Sequence, residues 1–209
     1  MTCRLLSALL AASLLGLPSG AAAIRKPAKG NLDDTLARAA LFCERAASRD
    51  AGAGFQPPPG GGIAIRDGRP PAIGTPDLVK RFADTQPMGR LASAERFYIQ
   101  FMAPGGDVWA VVYDKLPGCD VMVTNAQGDM PAAASRLVAS LQKSGWQVAR
   151  STAASAAMPL AQYVLGRRLP KTGAADLSLS LRIRALSGSS ADPTGVQLEL
   201  SFGGATGAP

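Results

Sequence analysis

Two segments near the C-terminal end alternate strictly between apolar and polar side chains. Residues 177–184 read Leu-Ser-Leu-Ser-Leu-Arg-Ile-Arg, and residues 196–202 read Val-Gln-Leu-Glu-Leu-Ser-Phe. Successive side chains of a strand point to opposite faces, so each segment predicts a strand with one buried and one solvated face. The intervening loop predicts a hairpin. A chain with this hairpin must build an antiparallel sheet that is covered on at least one side.

The remaining elements extend this sheet. We predict helices over 31–48, from 75 to about 83, and over 131–144, and further strands over 96–102, 107–113, 119–124, 146–150 and 160–169, with a short strand at 63–65. The segment 107–113 is apolar on both faces, which is typical of a central strand covered on two sides. The predicted fold class is α+β: an antiparallel sheet of about seven strands with helices packed on one face, preceded by a cleaved signal peptide.

The first 23 residues predict a secretory signal peptide. A positively charged start leads into an apolar run over 5–17, and Ala21-Ala22-Ala23 offers a small-x-small cleavage site. The run is too short to cross a hydrocarbon core of roughly 30 Å as a helix, although an uncleaved anchor is the alternative. We expect a periplasmic or secreted protein that has no transmembrane segment after cleavage.

The mature chain divides into three parts by composition. Residues 24–92 form an N-terminal helix followed by a Pro/Gly-rich loop region, which contains three prolines and three glycines in succession at 57–62. Residues 93–203 are expected to form the core of antiparallel sheet and helix. Residues 204–209 are expected to be a disordered tail.

Export leaves two cysteines, Cys43 and Cys119. An even number of cysteines in an oxidising compartment predicts a disulfide, which here links the first long helix to a strand. The alternative is a pair of separate buried thiols. The pair lacks Cys-x-x-Cys spacing, which argues against redox activity.

The chain contains no histidine. It therefore lacks the commonest general base, metal ligand and triad partner. We find no nucleophile elbow and no phosphate-binding glycine loop, and we predict no catalytic residues and no cofactor.

Two short patterns imitate the boxes of serine β-lactamases. Ser140 and Lys143 match Ser-x-x-Lys, and residues 171–173 read Lys-Thr-Gly. The Ser-Asp-Asn box is missing between them, and Ser140 lies near the end of a predicted helix rather than at its start. We interpret both patterns as chance matches.

Carboxylates are the only further candidates for metal ligands. Asp107, Asp114, Asp120 and Asp129 all fall near predicted strand ends, and calcium prefers such oxygen ligands. No calcium-loop motif is present, so we interpret the four as surface turn residues and predict no metal site.

Four arginines form a possible anion-binding patch. Arg182 and Arg184 lie on the solvated face of one strand, and Arg167 and Arg168 end the strand before it. Arginine binds phosphate and carboxylate well, although a solvated face opposite Glu199 is the alternative interpretation.

The net charge of +7 favours anionic partners, but charged residues make up only 18% and aromatic residues 5%. The absence of basic runs with interleaved aromatics argues against nucleic acid. We predict a non-catalytic binding or accessory module, with an anionic envelope ligand or another envelope protein as partner. The alternatives are a hydrolase that uses carboxylates or Ser/Lys, and a structural subunit of an envelope complex.

Overall fold

The computed structural model of the protein describes residues 31–50, 54–55, 64–66, 77–90, 95–170, 176–187 and 195–206. The predicted signal peptide and its cleavage site lie outside these residues, and so does the Lys-Thr-Gly pattern. No helix in the described ranges is long and apolar enough to cross a membrane.

Three helices and eight strands make up the described fold. The helices are α1 (Leu32–Ala47), α2 (Asp77–Thr85) and α3 (Met130–Lys143). The strands are β1 (Ala64–Arg66), β2 (Arg96–Phe101), β3 (Asp107–Tyr113), β4 (Gly118–Thr124), β5 (Gln147–Thr152), β6 (Leu160–Leu169), β7 (Leu177–Leu186) and β8 (Leu198–Thr206). The predicted α+β class is confirmed, and the three-residue β1 adds an edge to the seven longer strands.

All eight strands belong to one antiparallel sheet in the order β1-β2-β3-β4-β8-β7-β6-β5. The predicted meander β2-β3-β4 and the predicted hairpin β7-β8 are both present. Strand β4 joins the two halves by pairing with β8, which places Cys119 beside Phe202 and Asp120 beside Ser201.

Side-chain caps fix where the two long helices begin. The carboxamide oxygen of Asn31 accepts a hydrogen bond from the backbone N–H of Asp34 at 2.8 Å, which starts α1. The carboxylate of Asp129 accepts one from the N–H of Ala132 at 3.2 Å, and Pro131 follows in the first turn of α3.

Helices α1 and α3 pack on one side of the sheet, which we call the helical face. Leu36 and Ala40 of α1 and Leu137 of α3 share an apolar core with Val121 and Leu181 of the sheet. Helix α1 lies in the region 24–92, and its buried stripe is part of the same core as the sheet.

Helix α2 packs on the opposite side of the sheet. Its residues Val79 and Phe82 form a second core with Tyr98, Trp109 and Met122. The expectation that the helices share one face is therefore wrong for α2. The reason is that β2, β3 and β4 carry apolar side chains at successive positions, so both of their faces require cover.

The cover from α2 does not extend over the far half of the sheet. On that side β6 and β7 leave Val164, Ser178, Ser180 and Arg182 exposed to solvent. We call this part of the sheet the open face.

Strand β8 continues to Thr206, three residues into the segment that we expected to be a disordered tail. Gly203 and Gly204 pair with Ser180 and Leu179 of β7. Glycine inside a strand often marks a close backbone approach rather than the end of the strand. Residues 207–209 lie outside the described chain.

Candidate functional site

The two mature cysteines lie at disulfide distance, as the sequence predicts. The sulfurs of Cys43 and Cys119 are 1.97 Å apart and the Cα atoms 5.2 Å apart. Both side chains are buried in the core under the helical face. The bond ties the middle of α1 to β4.

The predicted arginine patch divides between the two faces of the sheet. Arg167 forms an ion pair with Glu44 of α1 on the helical face, and the indole N–H of Trp146 donates to the second carboxylate oxygen of Glu44 at 3.1 Å. Arg168 is the next residue of the strand, so it points to the open face, where it is exposed. Both arginines nevertheless border one concavity of about 450 Å³ at the β5 edge of the sheet.

The other two arginines share the open face but differ in their partners. Arg184 donates to the carboxylate of Glu199 at 3.0 Å across β7 and β8. Arg182 is exposed beside Ser201 and makes no ion pair with any described residue. The four arginines do not form one patch: Arg167 and Arg168 line one concavity, and Arg182 lines another.

The first concave site lies on the outer side of α1 and has a volume of about 340 Å³. We call it the α1 groove. It is lined by Arg38, Leu41, Phe42, Arg45, Ala46, Arg49 and Phe55. Residues 38, 41, 42 and 45 follow the i, i+3, i+4, i+7 spacing of one helical stripe, in which Leu41 and Phe42 lie between two arginines.

Aromatic rings form the floor of the α1 groove. Phe42 stacks edge-on against Phe55 and Phe101, with ring centroids 5.9 Å and 5.7 Å apart. Phe55 in turn contacts Phe97 of β2 at 5.1 Å. The backbone N–H of Phe55 donates to the carboxylate of Asp114 at 2.8 Å, which holds this loop residue against the sheet.

Arginines surround that floor. Arg38 and Arg45 are exposed, and Arg38 donates to the hydroxyl of Thr35 at 3.1 Å. Arg49 donates to the carbonyls of Tyr113 and Leu116 at 2.9 Å and 3.0 Å and lies over the ring of Phe55 at 5.2 Å. Burial lowers the pKa of Arg49. The groove therefore has an apolar floor, one anchored cation and two exposed cations at its rim.

The second concave site has a volume of about 210 Å³ and lies where the cover from α2 ends and the open face begins. We call it the border pocket. Gln86, Pro87 and Met88 form one wall, and Asp120, Val164, Ser180, Leu181, Arg182, Ser201, Phe202 and Gly203 complete its lining.

Asp120 is the buried acid of the border pocket, with 4% of its surface exposed. The phenol of Tyr113 donates to its carboxylate at 2.5 Å. Burial raises the pKa of Asp120 to about 7, and hydrogen bonds from Tyr113 and Ser201 oppose that rise. Burial also raises the pKa of Tyr113. The carboxyl of Asp120 therefore changes its charge near neutral pH.

The other aspartates considered as ligands have separate tasks. Asp107 accepts from the amide of Asn125 at 2.7 Å, Asp114 holds Phe55, and Asp129 caps α3. Across the described ranges, no three acidic or cysteine side chains come together in a way that could hold a metal ion. The interpretation as surface turn residues is wrong for Asp120, because β4 is buried along its whole length.

The chain matches no protein-family model, and neither the curated proteins nor the solved structures compared with it gave a match.

The sequence carries a local signal for the α1 groove. For the border pocket it singles out Arg182 and Asp120 separately, with nothing to indicate that they lie together. The α1 groove could have been found from Leu41 and Phe42, two large apolar residues that stand between Arg38 and Arg45 beside the stripe that packs on the sheet. The border pocket depends on the pairing of β4 with β8, which places Asp120 beside Ser201, 81 positions further along the chain.

Proposed function

We propose that this protein is exported and acts as a non-catalytic binding module for an anionic amphiphile, a molecule with an apolar chain and a carboxylate or phosphate headgroup. The observation that carries the proposal is the α1 groove, in which an apolar floor is bordered by arginines. The apolar run at the N-terminus and the cysteine pair support the exported part of the proposal.

The composition of the groove favours this ligand class. Leu41 is half exposed, although it is a large apolar side chain on the surface of a small domain. An acyl chain that covers Leu41, Phe42 and Phe55 gains about 0.8 kcal/mol for each methylene it removes from water. A headgroup at the rim meets Arg38 and Arg45, whose guanidinium groups bind carboxylate and phosphate through paired hydrogen bonds.

The size of the groove also fits. Small-molecule sites commonly enclose roughly 300–1,000 Å³ and are mostly apolar with a few placed polar groups. The volume of about 340 Å³ suits one chain and one headgroup rather than a folded partner.

The test is calorimetric titration of the protein with dodecanoate, dodecyl phosphate and the neutral dodecyl maltoside, each below its micelle concentration. We expect both anionic probes to bind at least about tenfold more tightly than the neutral one, because two arginine contacts provide more than about 1.4 kcal/mol. The double variant Arg38→Gln/Arg45→Gln should remove this preference. Leu41→Gln should weaken all three probes.

A matched control removes the same charge elsewhere. Arg81 and Arg150 are exposed and lie outside the groove, so Arg81→Gln/Arg150→Gln should bind like the unaltered protein. Equal affinity for the anionic and neutral probes, or equal loss in the two double variants, would contradict the proposal.

One observation favours the hydrolase alternative, namely Asp120 in a concave site with a raised pKa. Its neighbours argue against it. Tyr113 already donates to Asp120, the hydroxyl of Ser201 lies 3.3 Å from oxygens of both Gln86 and Glu199, and Glu199 is ion-paired with Arg184. Ser140 and Lys143 are exposed on α3 and line neither concave site. Binding is therefore the function that the geometry supports best.

A further inference from the structure

The border pocket is separate from the α1 groove and faces the other side of the sheet. Its key residues lie on one line across three strands: Arg182 of β7 pairs with Ser201 of β8, and Ser201 pairs with Asp120 of β4. Side chains at paired positions share a face of the sheet. Two strand spacings place the Cα atoms of Arg182 and Asp120 about 10 Å apart, with both side chains lining one concavity.

Arg182 and Asp120, at the two ends of this line, carry opposite charges. No ion pair joins them in the described part of the chain. Glu199 lies next to Arg182 but is held by Arg184, so the guanidinium of Arg182 keeps its donors for a ligand. Tyr113 and Ser201 each provide a hydrogen bond to the Asp120 carboxylate, which can accept about four. Acceptor positions therefore remain for a ligand cation.

The walls between these ends are small and partly apolar. Pro87, Met88 and Val164 contribute apolar surface, and the unbranched Met88 can adapt to different shapes. The volume of about 210 Å³ lies below the range common for drug-sized ligands and selects a small one.

We propose that the border pocket binds a free α-amino acid with an aliphatic side chain, with its carboxylate on Arg182, its ammonium on Asp120 and its side chain against Met88 and Val164. The adjacent carboxylate and ammonium of an amino acid, each with one hydrogen bond to the protein, bridge the gap that the strand spacing leaves between the two side chains. A ligand with only one of these charges leaves the other end of the pocket unmatched.

The test compares leucine with two matched probes, 4-methylpentanoate, which lacks the amine, and 3-methylbutylamine, which lacks the carboxylate. Calorimetric titrations are run at about pH 8, above the pKa of Asp120, so that its carboxylate is ionised. We expect leucine to bind at least about tenfold more tightly than either probe, because it makes both contacts.

Variants separate the two ends of the pocket. Arg182→Gln should weaken leucine and 4-methylpentanoate about tenfold and leave 3-methylbutylamine unchanged. Asp120→Asn keeps an acceptor for Tyr113 and should weaken leucine and 3-methylbutylamine but not 4-methylpentanoate. Arg168→Gln is the control, because Arg168 is exposed on the same face and does not line the pocket.

The crossed pattern is the expected result. The proposal is overturned if leucine shows no saturable binding at millimolar concentration, if it binds no better than the stronger of its two analogues, or if Arg182→Gln has no more effect than Arg168→Gln. Arg182 is exposed, so its substitution leaves the fold intact and decides the question even if Asp120→Asn is unstable. The α1 groove is not part of this pocket, so the proposal for its ligand succeeds or fails independently of this one.

Discussion

At the scale of single residues, Asp120 has the most unusual environment. Its side chain lies between Tyr113 of β3 and Ser201 of β8, and Glu199 acts on it from the same strand as Ser201. Desolvation and the charge of Glu199 raise its pKa, while the two hydrogen bonds lower it. Because the net effect is a rise, the folded protein keeps Asp120 protonated at pH values at which the unfolded chain has already released that proton.

The sign of the pH dependence follows from that proton. The pKa of Asp120 is about 7 in the folded state, and an aspartate in an unfolded chain has a pKa of about 3.9. Between these values the native state binds more protons, so the free energy of unfolding falls as pH rises from about 4 to about 7. Below about pH 4 the burial of Asp120 does not lower the free energy of unfolding, and above about pH 7 the reduction that it causes is constant.

Asp120→Asn should remove this pH dependence. We expect the variant to match the unaltered protein near pH 4 and to exceed its stability near pH 8, by at most about 4 kcal/mol, because the buried carboxylate is then absent. Urea unfolding at several pH values measures the difference. Asp77→Asn, at an exposed carboxylate, is the control and should show no such divergence. Parallel curves for Asp120→Asn and the unaltered protein would contradict the prediction, because they would show that folding does not raise the pKa of Asp120.

Alternation within a strand predicts the face on which a residue lies, but it does not predict whether that face is covered by a distant segment. The alternation of β7 correctly placed Arg182 and Arg184 on the solvated side. The same alternation within β6 places Arg167 and Arg168 on opposite faces, although both border one concavity at the edge of the sheet. Asp120 stands inside an apolar strand, and its burial depends on a strand from the far end of the chain, which local patterns do not specify.

At the scale of elements, α1 is used on several sides. Its core stripe lies on the sheet, and its second stripe builds the α1 groove. Near its C-terminal end its backbone approaches β8 so closely that a Cβ on Gly204 would lie 2.1 Å from the carbonyl oxygen of Ala47. The glycine at this position therefore sets the distance between helix and strand.

Gly204→Ala should be strongly destabilising, by about 3 kcal/mol or more, because backbone atoms of α1 must move to relieve the contact. Gly166→Ala is the matched control within β6, since its added methyl group meets its nearest atom at an ordinary 3.9 Å. Urea unfolding of both variants gives the comparison. Equal stability losses would mean that α1 can shift without cost.

Glu44 gives a second tie between α1 and the sheet. Its carboxylate joins Trp146 and Arg167, and it is 12% exposed where Arg167 is 26% exposed. Glu44→Gln leaves the arginine without its charge partner, and we expect a loss of about 1–3 kcal/mol.

A double-mutant cycle with Arg167→Met isolates that interaction. The double variant should lose less than the sum of the two single variants. Arg136→Gln, which breaks the exposed pair with Asp33, should have a smaller effect than Glu44→Gln. A larger effect of Arg136→Gln would argue against a special role for the Glu44 contacts.

The order and type of most elements could be predicted from the sequence because hydrophobic period and turn residues are local. Helix α1, the meander β2-β4 and the hairpin β7-β8 each carry such a signal. The side of the sheet on which a helix packs carries no such local signal, as α2 shows. The apolar character of both faces of 107–113 did predict a second cover, but only the structure identifies α2 as that cover.

At the scale of the whole molecule, one strand pair joins the two halves of the sheet. Strand β4 ends the first meander and pairs with β8 from the second half. The disulfide attaches α1 to the same β4, and the next residue along that strand is Asp120 in the border pocket. Strand β4 therefore carries the disulfide, packing contacts with α1 and the pairing with β8. It lies between the α1 groove on the helical face and the border pocket on the opposite face.

This arrangement predicts that the disulfide contributes to stability mainly by restricting the unfolded chain. The cysteines are 76 positions apart, and closing a loop of that length stabilises by about 4 kcal/mol in the chain-entropy model. Reduction should lower the free energy of unfolding by about that amount, and with it the urea midpoint, while leaving α1 in place, since its apolar stripe still packs in the core. Cys43→Ala/Cys119→Ala should unfold slightly earlier than the reduced protein, because alanine leaves space where two buried sulfurs packed. Reductant should not alter the double variant, which makes it the control for effects of reductant elsewhere. If reduction leaves the midpoint unchanged while the double variant is destabilised, the cysteines stabilise the protein through packing alone.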